Sequence, residues 1–578
     1  MQRFVVSGIP VAATVVAITA FVVRPRTSSA SSALYVIAGV LVGVAIGSRI
    51  SKTRPQQEDE QELFQEEGWE GTADVSDWEP FRVLGRSMIE YVAKYYREVE
   101  SRPVRAHVEP GYLKERLTQT EFPSQGERWS DIMADVESHI MPGVTHWQHP
   151  RFFAYYPGNS SPPGVLSDLL VSMFNVIGFS WEASPAATEL EIIVLDQLAR
   201  ALGLPDVFLS KGEGGGVILG SASEATLVAV LAARMRALRH MRRNNPGASD
   251  QSLLSKMTLY SSDQAHSSMQ KAANIAGLEA NVRLIPTWTP GNGKSKNDPF
   301  ALDADDLVAA MANDVVQGMT PIFVIANVGS TNTCAVDPIR SLAEACRRYS
   351  GESSMGEDRK GVFVPWLHVD AAYAGSAAIC PENRWILDGV EGADSFTFNP
   401  HKWLLTNFEC NTMWVKRSAF LVDALSVTPD ILRSKEYERG QVSDFRDWQV
   451  PLGRKFRSLK IWLIMRAFGL NKVRGYIRRH VRLASEFEEL VKRDDRFEIL
   501  APPRFGLICF RLKGSDTANE ELRSRIISSG LAFFSSTKLR GQRCLRMCVG
   551  CPSTNSRHVR EMWEALSRTA YAVTAEGF

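Results

Sequence analysis

Between about residue 160 and residue 470, short β-rich apolar runs alternate with longer segments of helical period. This alternation is the tightest constraint that the sequence places on its fold. The runs are Met257–Tyr260, Pro321–Val328, Val362–Val369, Ser395–Phe398 and Thr412–Val415. Helical periodicity marks Ala187–Leu202 and Ala222–Arg239, and Ser87–Val99 nearer the N-terminus. Strands separated by helices predict an α/β fold whose mostly parallel sheet is covered by helices on both faces. From about Leu470 the chain has helices and strands of its own, including Ile508–Leu512 and Cys544–Val549, which predicts a smaller C-terminal α/β domain.

A chain of 578 residues that is 44% hydrophobic and 23% charged has the balance of a globular enzyme. A net charge of +1 gives no reason to expect a nucleic-acid partner. Eight cysteines lie in the last half, too sparse for a disulfide scaffold and consistent with reduced thiols in the cytosol. Cys548 and Cys551 form a C-x-x-C, but no second pair stands at zinc-ribbon spacing, so we read them as a strand end in a core and expect no metal.

The first 60 residues differ from the rest. Phe4–Val23 is long enough to cross a bilayer, and a shorter apolar run, Ala33–Gly47, is followed by Arg49, Lys52 and Arg54. Two spans joined by a short loop, with basic residues after the second, predict an N-terminal hydrophobic hairpin. Membrane anchoring through residues 4–48 would then leave the catalytic domain facing the cytosol. Gly39, Gly43 and Gly47 would line one face of the second helix. The alternative is a cleaved targeting segment, leaving a cytoplasmic or organellar enzyme. The expected division is an anchor over 1–50, an acidic linker over 51–77, an N-terminal helical segment over 78–160, a large domain over 161–469 and a small domain over 470–578.

The chemistry concentrates in a few segments of the large domain. In SFTFNPHKW a β-run ends at Asn399-Pro400, followed by His401 and Lys402. A lysine at a strand end in apolar surroundings is a candidate for a lowered pKa and Schiff-base formation. In WLHVDAAY, 32 residues upstream, Asp370 follows an apolar strand. A carboxylate there would be buried and in need of a cation, and the pyridinium nitrogen of pyridoxal 5′-phosphate is such a partner. GGGVILGSASEA places Gly220, Ser221, Ala222 and Ser223 at a helix start, where free backbone N–H groups and the helix dipole favour phosphate. His266, in YSSDQAHSS, could stack on a planar ring, and Thr331, in VGSTNT, could stand beside it.

Together these segments resemble the group II pyridoxal-phosphate-dependent decarboxylases, of the aromatic-L-amino-acid decarboxylase type. The resemblance runs from about Trp78 to Trp563 and rests on MPGVTHWQHP, GFSWEASPAATELE, GSASEATLVA, YSSDQAHSS, HVDAAYAGSA, NPHKWLL and FRSLK. It implies the fold type I architecture, with a seven-stranded, mostly parallel sheet, and a homodimer with shared active sites. It implies Lys402 as the cofactor lysine, Asp370 as partner of the ring nitrogen and His266 as the ring-stacking histidine. Ala222, Ser223, Asn399, His401, Thr331 and Ala372 match cofactor-lining positions. Trp147, Tyr155, Tyr156 and Pro157 match the aromatic substrate wall, and Ile177 and Phe179 match residues supplied by the partner subunit. Gly453, in WQVPLGRKF, resembles the glycine of relatives that accept indole or catechol rings, where a serine would take up the space.

Two positions depart from the family pattern. Gly158 stands where animal enzymes usually carry a threonine near the substrate carboxylate. Ile431 stands 29 residues after Lys402, where the family's mobile loop carries a proton-donating tyrosine. An isoleucine gives no proton, and relatives that lose this delivery divert the reaction to dioxygen, although the plant ones carry phenylalanine there. Tyr437, water or His266 are the remaining proton sources. The leading expectation is decarboxylation of tryptophan, 5-hydroxytryptophan, DOPA or tyrosine to the arylalkylamine and carbon dioxide. An aromatic aldehyde synthase is the alternative. A catalytically silent membrane-tethered scaffold is a third reading, disfavoured by the presence of Lys402, Asp370 and His266.

Overall fold

The computed structural model describes residues 76–117, 121–288, 298–349, 363–427 and 429–578. The chain divides into two compact units, Met1–Tyr91 with Glu121–Val136, and Val92–Thr120 with Glu137–Phe578. The first unit includes the helix Trp129–Asp135. The two sheets and the cavity described below belong to the second.

Its main sheet has seven strands: β1 (Gly215–Leu219), β2 (Met257–Ser262), β3 (Val282–Ile285), β4 (Thr320–Asn327), β5 (Trp366–Asp370), β6 (Ser395–Phe398) and β7 (Asn411–Val415). Their order is β1-β7-β6-β5-β4-β2-β3. β7 runs antiparallel to β1 and β6, and the other neighbours pair in parallel. After α1 (Pro162–Phe174), whose Val171 packs with Ala187, Phe456 and Leu459, helices cover both faces: α2 (Pro185–Leu202), α3 (Ala222–Asn244), α4 (Ser268–Ile275), α5 (Ala304–Val316) and α6 (Ile339–Tyr349). The pleat of β4 shows why both faces must be apolar. Val324 and Ala326 join the core under α2, α5 and α6, with Leu198, Leu307 and Leu342. Phe323 and Ile325 join the opposite core under α3 and α4, with Ala229, Ala233 and Met269. The small residues Ala225, Ala229, Ala232 and Ala233 leave α3 close to the sheet, which brings its N-terminus to the strand ends.

α7 (Ser458–Lys492) leads out of this layer and is broken at Gly469, whose φ of 68° is open to glycine at little cost. A second, antiparallel sheet follows, in the order β10-β11-β9-β8: β8 (Phe497–Ile499), β9 (Leu507–Leu512), β10 (Ser535–Leu539) and β11 (Gln542–Cys548). It packs with α8 (Asp516–Ser528) and α9 (Ser556–Ala575) through Ile508, Phe510, Leu545, Met547, Leu522 and Met562. The alternate residues Cys509, Cys544 and Cys548 turn the other way, into the core of the main sheet.

The expected strands at 257, 321, 395 and 412 are present, with ends shifted by a residue or two. β5 starts at Trp366; Val362, where its run was expected to begin, lies outside the described residues. The early helix spans Glu79–Glu98 rather than Ser87–Val99. β1 and β3 were not anticipated. Glycine is a poor strand former in isolation, but a Cβ at Gly214 would lie 2.2 Å from Val207 O, and one at Gly216 2.8 Å from Trp414 Nε1. Tight packing explains the glycines, and the sheet overrides their propensity.

The expectation of a membrane-anchored enzyme is corrected. Among the described residues no helix is long and apolar enough to cross a membrane. The apolar runs within 4–48, and with them the N-terminal hairpin, lie outside the described residues.

Candidate active site

Two strand ends build the floor of the site. Asp370 closes β5, and its Oδ1 accepts the Ala372 N–H at 3.0 Å. β6 ends at Phe398, and Pro400 opens a short helical turn, Pro400–Trp403, where its missing N–H removes no helical bond. Asn399 N–H donates to Ala372 O at 3.0 Å, tying the two strand ends together, and Lys402 N–H donates to Asn399 O at 3.0 Å. Lys402 Nζ then lies 5.5 Å from the Tyr156 ring centroid. Burial, opposed by Asp370, pushes the Lys402 ammonium below its ordinary range.

The rest of the cavity comes from neighbouring connections. α3 starts beside it, its N-cap Ser221 accepting the Glu224 N–H at 3.2 Å. Ala222 and Ser223 occupy the first turn, where backbone N–H groups have no helical acceptor. His266 follows β2; its Nδ1 accepts the Ser268 N–H at 3.1 Å, and burial lowers its pKa. His401 Nδ1 accepts the Cys410 N–H at 3.1 Å, and burial with the Lys402 charge lowers its pKa to about 3. Both rings are therefore neutral near pH 7 and carry their hydrogen on Nε2. Thr331 sits in the turn after β4. Gly329, with φ of 88°, makes that turn where a Cβ would lie 2.6 Å from Ala374 Cβ.

These groups line one cavity of about 210 Å³. It brings together the expected Lys402, Asp370, His266, Ala222, Ser223, Thr331, Ala372, Asn399, His401 and Tyr156. Ser221, named above only as part of the helix start, lines it too, as do Asn327, Gly329 and Ser330, which were not singled out. Ser221 stood inside the quoted glycine-serine run, and Ser330 inside VGSTNT, so both were readable as neighbours of residues that were chosen.

The pyridoxal-dependent decarboxylase conserved domain matches residues 110–513. This chain belongs to that family. The decarboxylase is 45% identical over 502 residues to phenylacetaldehyde synthase of Arabidopsis thaliana, a match covering 86% of this chain and 96% of that protein. It is 45% identical to the aromatic-L-amino-acid decarboxylase of Mus musculus, over 86% of this chain and 98% of that one. A solved structure of Oryza sativa TDC with PLP and tryptamine superposes with a TM-score of 0.80 at 38% identity, covering 87% of this chain and 99% of that one. The decarboxylase is thus a carboxy-lyase of fold type I whose cofactor is pyridoxal 5′-phosphate.

The cavity fits that cofactor. Among the described residues Asn399 Oδ1 is buried without a hydrogen-bond partner, and an amide turned over presents N–H donors instead. The α3 start offers N–H groups to a phosphate, and Asp370 offers a carboxylate to a ring nitrogen. Lys402 offers an amine of lowered proton affinity.

The other expected site residues stand outside this cavity. Trp147 stacks on Tyr155 at 5.6 Å and 15°, and both are substantially exposed. Pro157 is buried against Gly550, where a Cβ would lie 2.9 Å from its ring. At Gly158 an added Cβ meets only His401 O at 3.8 Å and Trp147 Cε3 at 4.0 Å, so the position has room for a side chain. Ile177 is exposed and Phe179 half-buried. Gly453 lies next to Arg454, which forms a buried ion pair with Glu191 at 2.6 Å and donates to Ile218 O of β1. Ile431 lies on the turn Asp430–Leu432 and is 89% exposed. Tyr437 is already engaged. Its hydroxyl donates to Asp447 Oδ2 at 2.7 Å, beneath the Arg446 guanidinium, and its pKa is pushed up to about 12 by burial and by Asp447.

Proposed function

We propose that this enzyme decarboxylates an aromatic L-amino acid, one of tryptophan, 5-hydroxytryptophan, DOPA and tyrosine, to the arylalkylamine and carbon dioxide. The observation that carries the reading is the convergence of Lys402, Asp370, His266 and the α3 start on one cavity. Bound there, pyridoxal phosphate supplies the sink for the electron pair left when carbon dioxide departs.

The chain's own residues take the other tasks. Lys402 provides the cofactor amine, and its burial favours the neutral, nucleophilic form. Asp370 would stand beside the ring nitrogen, where a carboxylate favours the protonated ring. Ala222, Ser223, Asn399 and His401 would hold the phosphate, with Thr331 and Ala372 lining the same cavity. His266, whose Nδ1 accepts the Ser268 N–H, would cover the ring face and leave Nε2 to face the substrate. Trp147, Tyr155, Tyr156, Pro157 and Gly158 form the wall against the substrate's aromatic group, and Gly453 leaves space for it. A homodimer is supported by the exposed apolar residues Leu166, Leu169, Met173 and Phe174 of α1, together with Ile177. In it, Ile177 and Phe179 of each copy complete the other's site. We read the decarboxylase as 78–160, 161–469 and 470–578, and the break at Gly469 supports the boundary between the last two.

The test is product analysis of the purified enzyme loaded with cofactor, following amine, aldehyde and peroxide together with each of the four substrates. Absence of carbon dioxide release with all four would overturn the reading. A specific observation favours a second outcome. Ile431 has no transferable proton, and the hydroxyl of Tyr437 is held by Asp447. If Cα is not protonated, one dioxygen and one water are consumed per amino acid, giving aldehyde, carbon dioxide, ammonia and hydrogen peroxide. Aldehyde and peroxide in equal amounts would establish that outcome.

A further inference from the structure

Arg546 belongs to β11 of the small sheet, yet its side chain reaches the wall of the main cavity. It is buried, and among the described residues its hydrogen bonds go to carbonyls and a hydroxyl rather than to a carboxylate. Nε donates to Asn332 O at 2.9 Å, Nη2 to Thr331 O at 2.8 Å and Nη1 to Ser535 Oγ at 2.9 Å. A guanidinium stays charged at any working pH, and burying one without a counter-charge is costly. Its partners show what that cost secures. Thr331 and Asn332 form the turn after β4 that lines the cavity. Ser535 Oγ also accepts the Tyr155 N–H at 3.2 Å, so Arg546 is one link from the backbone of the aromatic wall. Thr537 of β10 holds Asn332 Oδ1 at 2.9 Å, and Tyr156 donates its hydroxyl to Ser330 O at 2.8 Å.

The Tyr156 ring joins this cluster to Lys402. The Arg546 guanidinium carbon lies 5.2 Å from the ring centroid, and Lys402 Nζ lies 5.5 Å from the same centroid. Two cations cannot both gain fully from one ring, and Arg546 cannot give up its charge.

We propose that Arg546 is a positioning residue that holds the Thr331 turn and the Tyr155 wall in register and sets the charge felt at the Lys402 nitrogen. The proposal rests on the reading of Lys402 as the cofactor lysine. The physical reason is that Arg's planar fork satisfies three acceptors at fixed angles, whereas Lys would bring the charge without the fork. The effect on Lys402 runs in the matching direction: burial is the largest influence lowering its proton affinity, Asp370 opposes it, and Arg546 adds to the lowering.

The experiment compares Arg546→Lys, Arg546→Met and Ser535→Ala, each as the full chain loaded with pyridoxal phosphate. Three quantities are read: the pH midpoint of the cofactor's near-visible absorbance, cofactor affinity, and the split between KM and kcat. Arg546→Met, which removes the charge, should raise the midpoint by about one pH unit. Arg546→Lys should keep the midpoint near wild type but weaken cofactor binding roughly tenfold, because the fork is lost. Ser535→Ala should raise KM for the aromatic amino acid more than it lowers kcat, with the midpoint in place. A wild-type midpoint in Arg546→Met, or an equal shift in both Arg546 variants, would overturn the electrostatic role. An unchanged KM in Ser535→Ala would overturn the positioning role, and that variant keeps the test open should Arg546→Met fail to fold. Lys402→Ala, expected to lose the band outright, reports separately on the Lys402 reading.

Discussion

Asp370, Lys402 and Ala222 stand on strand ends and a helix start of the seven-stranded sheet, whereas Trp147, Ile431 and Gly453 stand on connections. The first group shares one cavity with short, mutually tied backbone segments. In the second group Trp147 and Ile431 are exposed. The difference teaches where each kind of decision is made. Groups that handle charge must be fixed and out of water, because their pKa values depend on burial and on exact neighbours. Groups that admit a substrate or deliver a late proton can be carried by segments that move or vary.

The sharpest way to break this comparison is at the floor. Lys402→Ala should abolish the near-visible band and lower turnover by at least ~10³-fold. Asp370→Ala should lower turnover by about 10³-fold while the protein still folds, since the loss is of charge beside the ring. Appreciable residual turnover in steady-state assays would remove Asp370 from the mechanism. At the outer wall the effect should be on outcome rather than on competence. Ile431→Tyr should raise the amine share of product and the rate of amine formation by about 10²-fold if protonation limits it, read by simultaneous amine and peroxide assay. Gly453→Ser should be smaller: its Cβ would lie 3.3 Å from Ile177 Cγ2, and KM for tryptophan should rise about tenfold relative to tyrosine. Equal effects on both substrates would show that Gly453 does not measure ring size.

The smallest effect concerns stability. His149 and His368 are buried, and burial lowers the pKa of each to about 4. Their unfolded values lie near ~6.5, so unfolding takes up protons between those limits. Stability is full above ~6.5 and is lost as pH falls toward 4. Thermal unfolding followed from pH 7 to pH 4.5 should show Tm declining in that window. A flat Tm would mean that these rings are not held neutral.

Much of the floor was legible in the chain because its signals are local. NPHKW, HVDAAY and GSASEA each place a chemical group beside a strand end or helix start within a few residues. β1 was harder to see, since Gly214–Gly216 look like breakers until Val207 and Trp414 are packed against them. Tyr437 looked available as a proton source, and only the fold places its hydroxyl on Asp447.

The sequence by itself determined the sheet's mostly parallel character and named residues that meet in one cavity, because apolar runs and strand-end motifs act over neighbouring residues. Only the tertiary structure decided that Arg546 meets Thr331 across 215 positions, and that Tyr156 of the aromatic wall lines the cavity while Trp147, Tyr155 and the Ile431 turn stand outside its lining. Side-chain period fixes which face of β11 is polar or apolar, but not what that face will touch. That depends on how the second sheet packs on the first, through contacts too distant along the chain for any local pattern to encode.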